Sequence, residues 1–220
     1  MAIGRRYWSS ATAAAGVLLL LLPACKIISI EEDRAIQERR SESFDADLYV
    51  KNQWGERVMP QIERSAVPIS QLVAAAANDL ESAGERFGRK VGEGSPWTFV
   101  VKGEGIVRAI NDQSREGTIE IQVPGGARSI GILVQTGPVI IDNSLRDALP
   151  FVAFNDFSGQ IAFADVGRSL TERALTGTRD SLRTLKVGDE VTFLGTLNLL
   201  SSEDVPRLIP VRIAKINRAT

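Results

Sequence analysis

Trp97-Thr98-Phe99-Val100-Val101-Lys102-Gly103-Glu104-Gly105-Ile106-Val107-Arg108-Ala109-Ile110 is the stretch on which the fold turns. Trp97, Phe99 and Val101 alternate with Thr98, Val100 and Lys102, which is the two-residue period of a strand with unlike faces. Gly103 and Gly105 interrupt the pattern and Ile106 resumes it. A glycine pair inside a strand predicts a bulge or sharp bend, the device that curls a sheet into a small barrel. Working outward, Thr118–Val123 alternates cleanly, and Ser129–Thr136, Glu190–Leu197 and Leu208–Ile216 are further strand-like runs. The last offers Val211, Ile213 and Ile216 to a core. A helix is expected from Phe157 to about Leu175. The order strand, strand, strand, helix, strand, strand is that of the OB-fold, a five-stranded Greek-key barrel. An open α+β sheet of the same elements is the alternative, and the bent first strand favours the barrel.

Upstream, the period changes to that of helices. Phe44–Arg64 carries Trp54, Val58 and Ile62 on one face, with Asp45 or Asp47 available as a cap. Pro68 can open a second helix, striped by Ile69, Leu72, Val73, Ala76, Leu80, Ala83 and Phe87 and ended by Gly88. Such a stripe is core packing rather than a ligand box. The expected fold class is therefore α+β: an N-terminal helical pair over residues 44–95, then an OB-like five-stranded barrel over 96–220.

Residues 1–43 read differently. Arg5 and Arg6 precede an apolar run from Ala11 to Leu22, too short to span a bilayer but right for a secretory signal. Leu22-Pro23-Ala24-Cys25 follows. It is similar to the lipobox of bacterial lipoproteins, which implies cleavage after residue 24 and a lipid on Cys25. Pro23 departs from the small residue usual at its position. A twin-arginine export signal is poorly matched, with Gly4 before the pair and Tyr7-Trp8 after it. Residues 25–43, dense in charge from Glu31 to Glu42, read as a tether lifting the domain off the headgroups. The expected location is thus the periplasmic side of a bacterial membrane, held by lipid.

Composition narrows the chemistry. The 220-residue chain has one cysteine and no histidine. A lipidated Cys25 leaves no disulfide, and without histidine the Ser-His-Asp and Cys-His arrangements and almost every zinc site are closed. Near-neutral charge argues against nucleic acid, which selects a basic face. No EF-hand spacing is present, and neither metal nor cofactor is expected. Gly103-Glu104-Gly105 and Pro124-Gly125-Gly126 lack the lysine and following helix of a phosphate loop.

The dense middle of the chain carries the candidate site. Ser144 or Asn143 can cap a short helix over Leu145–Leu149, and Pro150 ends it. Phe151, Phe154 and Phe157 fall at three-residue intervals and are expected to share a buried face. Arg146, Asp147, Asn155, Asp156 and Gln160 lie among them. In one reading they cap and tie an irregular segment. In the other, Arg146, Asp147, Phe154, Asn155, Asp156, Phe157 and Gln160 line a pocket for a small ligand such as a sugar.

Leu145-Arg-Asp-Ala-Leu-Pro-Phe151, Phe154-Asn-Asp-Phe-x-x-Gln-Ile161, Gly137-Pro-Val-Ile140 and Cys25-Lys26-Ile27 resemble a family of predicted periplasmic lipoproteins of unknown function, often encoded beside sugar ABC importers. The resemblance implies a lipid-anchored accessory or binding module, with an importer component or a small sugar as partner, and supplies no catalytic residues. A carboxylate-based hydrolase of envelope glycans, drawing on Asp142, Asp147, Asp156 and Asp165, is an alternative. A structural envelope lipoprotein making only protein contacts is another.

Overall fold

The computed structural model describes residue 31 and residues 44–124, 129–140 and 142–217. The chain divides into two units, Met1–Ile36 and Gln37–Thr220, and the fold below is that of the second. The expected signal peptide, Cys25 and, but for Glu31, the tether lie outside the described residues.

Five strands close the barrel: β1 (Trp97–Asn111), β2 (Thr118–Val123), β3 (Ile130–Gln135), β4 (Glu190–Leu199) and β5 (Arg207–Lys215). The pairs β1–β2, β2–β3, β1–β4 and β4–β5 are antiparallel. A short parallel contact, Leu133↔Arg207 and Val134↔Leu208, joins β3 to β5 and completes the circuit. β1 serves two neighbours: residues 97–106 pair with β4, and 106–111 with β2. Two-residue strands, Val67–Pro68 and Gly88–Arg89, add to its first half.

The glycines of β1 do a different job from the one their spacing suggests. The ladder to β4 runs unbroken through Gly103↔Phe193 and Gly105↔Val191, and the register shift falls between Val107 and Ala109. A Cβ on Gly103 would stand 2.7 Å from the Ile69 side chain, and one on Gly105 would stand 2.7 Å from the Gln122 carbonyl. The missing side chains admit close neighbours, and the bulge at Arg108 turns the strand.

Asp45 caps α1 (Ala46–Gln53), accepting the Leu48 N–H at 2.9 Å. A π-helical turn over Trp54–Val58 leads into α2 (Met59–Ser65). The apolar stripe from Ile69 to Phe87 forms two helices, α3 (Ile69–Asn78) and α4 (Leu80–Phe87). Asp79 divides them: its backbone is extended and its carboxylate accepts the N–H groups of Glu81 and Ser82. A local side-chain cap here outcompetes continued helix. α5 (Ser144–Asp147) and a 3-10 turn over Phe154–Asp156 precede α6, which starts at Gln160 and runs on to Thr184.

Two apolar cores result. Inside the barrel lie Phe99, Val101, Ile121, Ile132, Val191, Leu197 and Leu208, closed by Ile69 and Leu72 of α3 and by Leu182 and Leu185. Outside it, Val100, Leu194, Ile209 and Val211 meet Val50, Val58 and Ile62, Leu145 and Leu149, and Val166 and Leu170 of α6. Both faces of β1 are therefore covered, which is why Thr98–Val101 are all buried. A bulge in β5, where Leu194↔Arg212 gives way to Gly195↔Pro210, lets Val211 face the outer core and Ile213 the barrel. Each fully buried Leu or Ile contributes about 1.5–3 kcal/mol relative to exposure.

Candidate functional site

The polar and aromatic residues expected to cluster separate into two places. Phe157 forms edge contacts with Phe44 and Tyr49, ring centroids 5.6 Å apart in each case, and a tilted contact with Phe163 at 5.8 Å. Phe154 meets Phe163 edge-on at 5.6 Å, yet it is 51% exposed. Phe151, Phe154 and Phe157 thus do not share a buried face, because the 3-10 turn covers only Phe154–Asp156 and the extended backbone at Ala153 and Phe157 breaks the three-residue alignment on either side. Asp156 accepts the Ala153 N–H at 3.1 Å. Asn155, Asp156 and Gln160 are exposed.

Asp147 lies elsewhere. It lines a cleft of about 670 Å³ at the barrel end where β3 and β4 stop and β5 begins. Gln135 comes from the last position of β3, Asn198 from β4 and Arg207 from the first position of β5. Glu116 comes from the β1–β2 turn and Asp204 from the β4–β5 turn. Asp142 and Asn143, just before α5, complete the polar lining. Arg146 reaches this side through Asp147: its Nε and Nη2 each lie 2.8 Å from Asp147 Oδ1. The guanidinium also sits 4.0 Å from the Phe163 ring centroid, a cation–π contact that links the cleft wall to the aromatic cluster.

The local sequence explains the α5 segment. Asp142 Oδ1 accepts the Ser144 N–H at 2.6 Å, an Asx-type turn that starts the helix. Ser144 is buried, and its hydroxyl pairs with that of Thr196 at 2.9 Å, pinning the helix to β4. Arg89 donates to the Leu149 carbonyl at 2.6 Å and to that of Asp147 at 3.2 Å, holding the far end. Gly167 of α6 gives the segment room: a Cβ there would lie 3.0 Å from Asn143 Oδ1 and 3.4 Å from Arg146 Cδ.

The charges are unevenly matched. Arg207 pairs with Glu116 at 2.7 Å across the rim. Arg146 pairs with Asp147. Asp204 Oδ2 accepts the N–H groups of Leu200 and Ser201, at 2.7 and 2.8 Å. Asp142 has the Ser144 N–H and the Asn198 amide, 3.0 Å from Oδ1, and among the described residues no cation in ion-pair contact. Burial pushes its carboxyl above the usual carboxylate range and Asp147 adds to the rise, while the hydrogen bonds from Ser144 and the nearby charge of Arg207 oppose it. In the same lining, Gln135 is 4% exposed and its Nε2 is buried without a hydrogen-bond partner among the described residues. A buried amide donor left unpaired costs about 1–3 kcal/mol. Among the described residues no group of three or more acids is placed to hold a metal ion.

Gln135, Asn143, Asn198, Arg207 and Glu116 escape a sequence search because they are scattered over five separate segments. Two carry a signal in retrospect. Asn198 falls between Leu197 and Leu199, and Gln135 ends an otherwise apolar strand. A polar side chain at the end of a core strand, followed by a loop, marks where a barrel opens.

Fold and site together define an OB-fold protein with helices packed on one outer face and an acidic, hydrogen-bonding cleft at one end. The chain belongs to the family described as predicted periplasmic lipoprotein (DUF2291), whose model matches residues 15–214. It is accordingly a lipoprotein, lipid-anchored on the periplasmic side of a bacterial membrane. Among solved structures it is similar to an OB-fold protein from Thermotoga maritima, with 18% identity, a TM-score of 0.64, and coverage of 79% of this chain and 99% of that one. The likeness shows the fold. An OBody bound to hen egg-white lysozyme overlaps less, at 13% identity and a TM-score of 0.31, over 57% of this chain and 84% of that one. Comparison with curated proteins finds no match.

Proposed function

We propose that this lipoprotein is a non-catalytic binding module, anchored through Cys25, whose cleft takes a small polar ligand on behalf of a sugar ABC importer. The observation that carries the binding reading is Gln135: a donor buried at the cleft without an acceptor is what a binding site looks like before its ligand arrives. Position supports it as well. The cleft takes residues from the β1–β2 and β4–β5 loops, the two loops with which OB-folds bind their ligands. Four carboxylates against one guanidinium in the lining disfavour nucleic-acid phosphates. The importer link rests on the family resemblance alone. Calorimetry with small sugars, and co-purification from detergent with importer subunits, test the two halves. Failure of both removes the proposal. Cys25→Ser is expected to release the protein from membranes.

A second reading has one observation in its favour. Asp142, its carboxyl raised by burial, and Asp147, paired with Arg146, share the cleft. A carboxyl of raised pKa near a second carboxylate is what glycoside hydrolysis uses. Release of reducing ends from envelope glycans, lost in Asp142→Asn and Asp147→Asn, would establish it. Absence of turnover ends it.

A further inference from the structure

The cleft also specifies the charge of what it binds, an inference that rests on the binding reading above. Of the four lining carboxylates, Glu116 is neutralised by Arg207 and Asp147 by Arg146. Asp204 is spent on the backbone of its own turn. Asp142 is the remaining one: half-buried, held by an N–H and an amide, and without a salt-bridge partner among the described residues. Gln135, in the same lining, has the opposite deficiency, a buried N–H donor with no acceptor among the described residues. A ligand that relieves both must bring a cationic donor to Asp142 and an oxygen acceptor to Gln135.

We infer that the cleft binds a small organic ammonium with a neighbouring hydroxyl or carbonyl oxygen, the ammonium on the Asp142 carboxylate and the oxygen on Gln135 Nε2. A neutral polyol satisfies Gln135 equally well, but it leaves Asp142 with only the distant charge of Arg207 and no ion-pair partner among the described residues. An anion meets a lining rich in carboxylates and is excluded. Among the described residues no aromatic ring lines the cleft to stack on a sugar face, so the specificity falls on charge and hydrogen bonding. Asn198 plays a positioning part. Its amide donates to Asp142 Oδ1, and Thr98 Oγ1 donates to its carbonyl oxygen at 2.7 Å, which fixes the amide's orientation.

The test compares glucosamine with glucose, which differ by an ammonium in place of one hydroxyl. The readout is the Gln135 side-chain amide resonance in the full folded domain. Glucosamine is expected to shift that resonance and to bind about tenfold or more tightly than glucose, the range for a hydrogen bond to a charged group. Asp142→Asn is expected to erase that difference, with thermal unfolding confirming that the variant is folded. Gln135→Met is expected to weaken glucosamine and glucose alike. If glucose binds as tightly as glucosamine, or Asp142→Asn leaves the ratio unchanged, the ammonium assignment falls while the binding cleft stands. If neither probe moves the Gln135 or Asn198 side-chain amide resonances, both fall, and the orphan donor is answered by buried water instead.

Discussion

Two polar regions of the molecule obey opposite rules. Ala153–Gln160, leading into α6, looks functional in sequence, with aromatic and amide groups interleaved. In the fold it is a cap: Asp156 is tied to the Ala153 N–H, and Asn155 and Gln160 are exposed. The cleft formed by Gln135, Asp142, Asp147 and Asn198 looks unremarkable in sequence because its residues are scattered. There the hydrogen-bond ledger does not balance: the lining holds both a buried orphan donor, Gln135, and a carboxylate, Asp142, with no ion-pair partner among the described residues. The difference teaches that clustering along the chain signals local tying, whereas an unmet polar group, buried by distant strands, signals a ligand.

The contrast can be broken at several points. Leu145 is fully buried under the cleft segment, and Leu145→Ala is expected to cost about 2–5 kcal/mol in urea unfolding. It should loosen the Asp142 and Asp147 side of the cleft with it. Ser144→Ala leaves the buried Thr196 hydroxyl without its partner and is expected to cost about 1–3 kcal/mol by the same measurement. Asp156→Ala removes only an exposed cap, so a loss of about 0.5–1 kcal/mol and unchanged ligand response are expected. A loss of ligand response in that variant would erase the distinction between the two segments.

Asp142→Asn is read as a slope rather than a size. The Asp142 carboxyl is raised by burial, so the folded state holds its proton more tightly than the unfolded chain does. Stability therefore falls as pH rises from the ordinary carboxylate value through the raised one. Asparagine keeps the acceptor for Ser144 and Asn198 without titrating. The variant should flatten that part of the profile and match or exceed the parent in stability at neutral pH. The opposite sign is expected at Asp189, whose carboxyl is lowered chiefly by Lys215 and then by the Lys186 N–H. Asp189→Ala should remove stability that the parent has above the ordinary carboxylate value and loses as pH falls through the lowered one.

Much of the barrel was legible because alternation is a local property: Thr118–Val123 coincides with β2, and Glu190 begins β4 as expected. Breaks that depend on a side-chain cap were less legible. The apolar stripe crosses Asp79 without a fault, yet the chain bends there because Asp79 caps the next helix. The extension of α6 to Thr184 also escaped, since Leu182 gains its burial only by closing the barrel. For the site, Asp147 was legible as part of a charged run, whereas Gln135 and Asn198 become neighbours only when the β1–β4 and β3–β5 ladders form.

The central claim is that Gln135 is kept at a cost to stability for the sake of binding, and Gln135→Met tests it most directly. Methionine fills a similar volume with no donor to satisfy. Thermal and urea unfolding should show a variant as stable as the parent or more stable, by up to about 1 kcal/mol, with its binding of glucosamine weakened. A loss of about 2 kcal/mol or more, with the glucosamine response intact, would make Gln135 an ordinary structural residue and contradict the account.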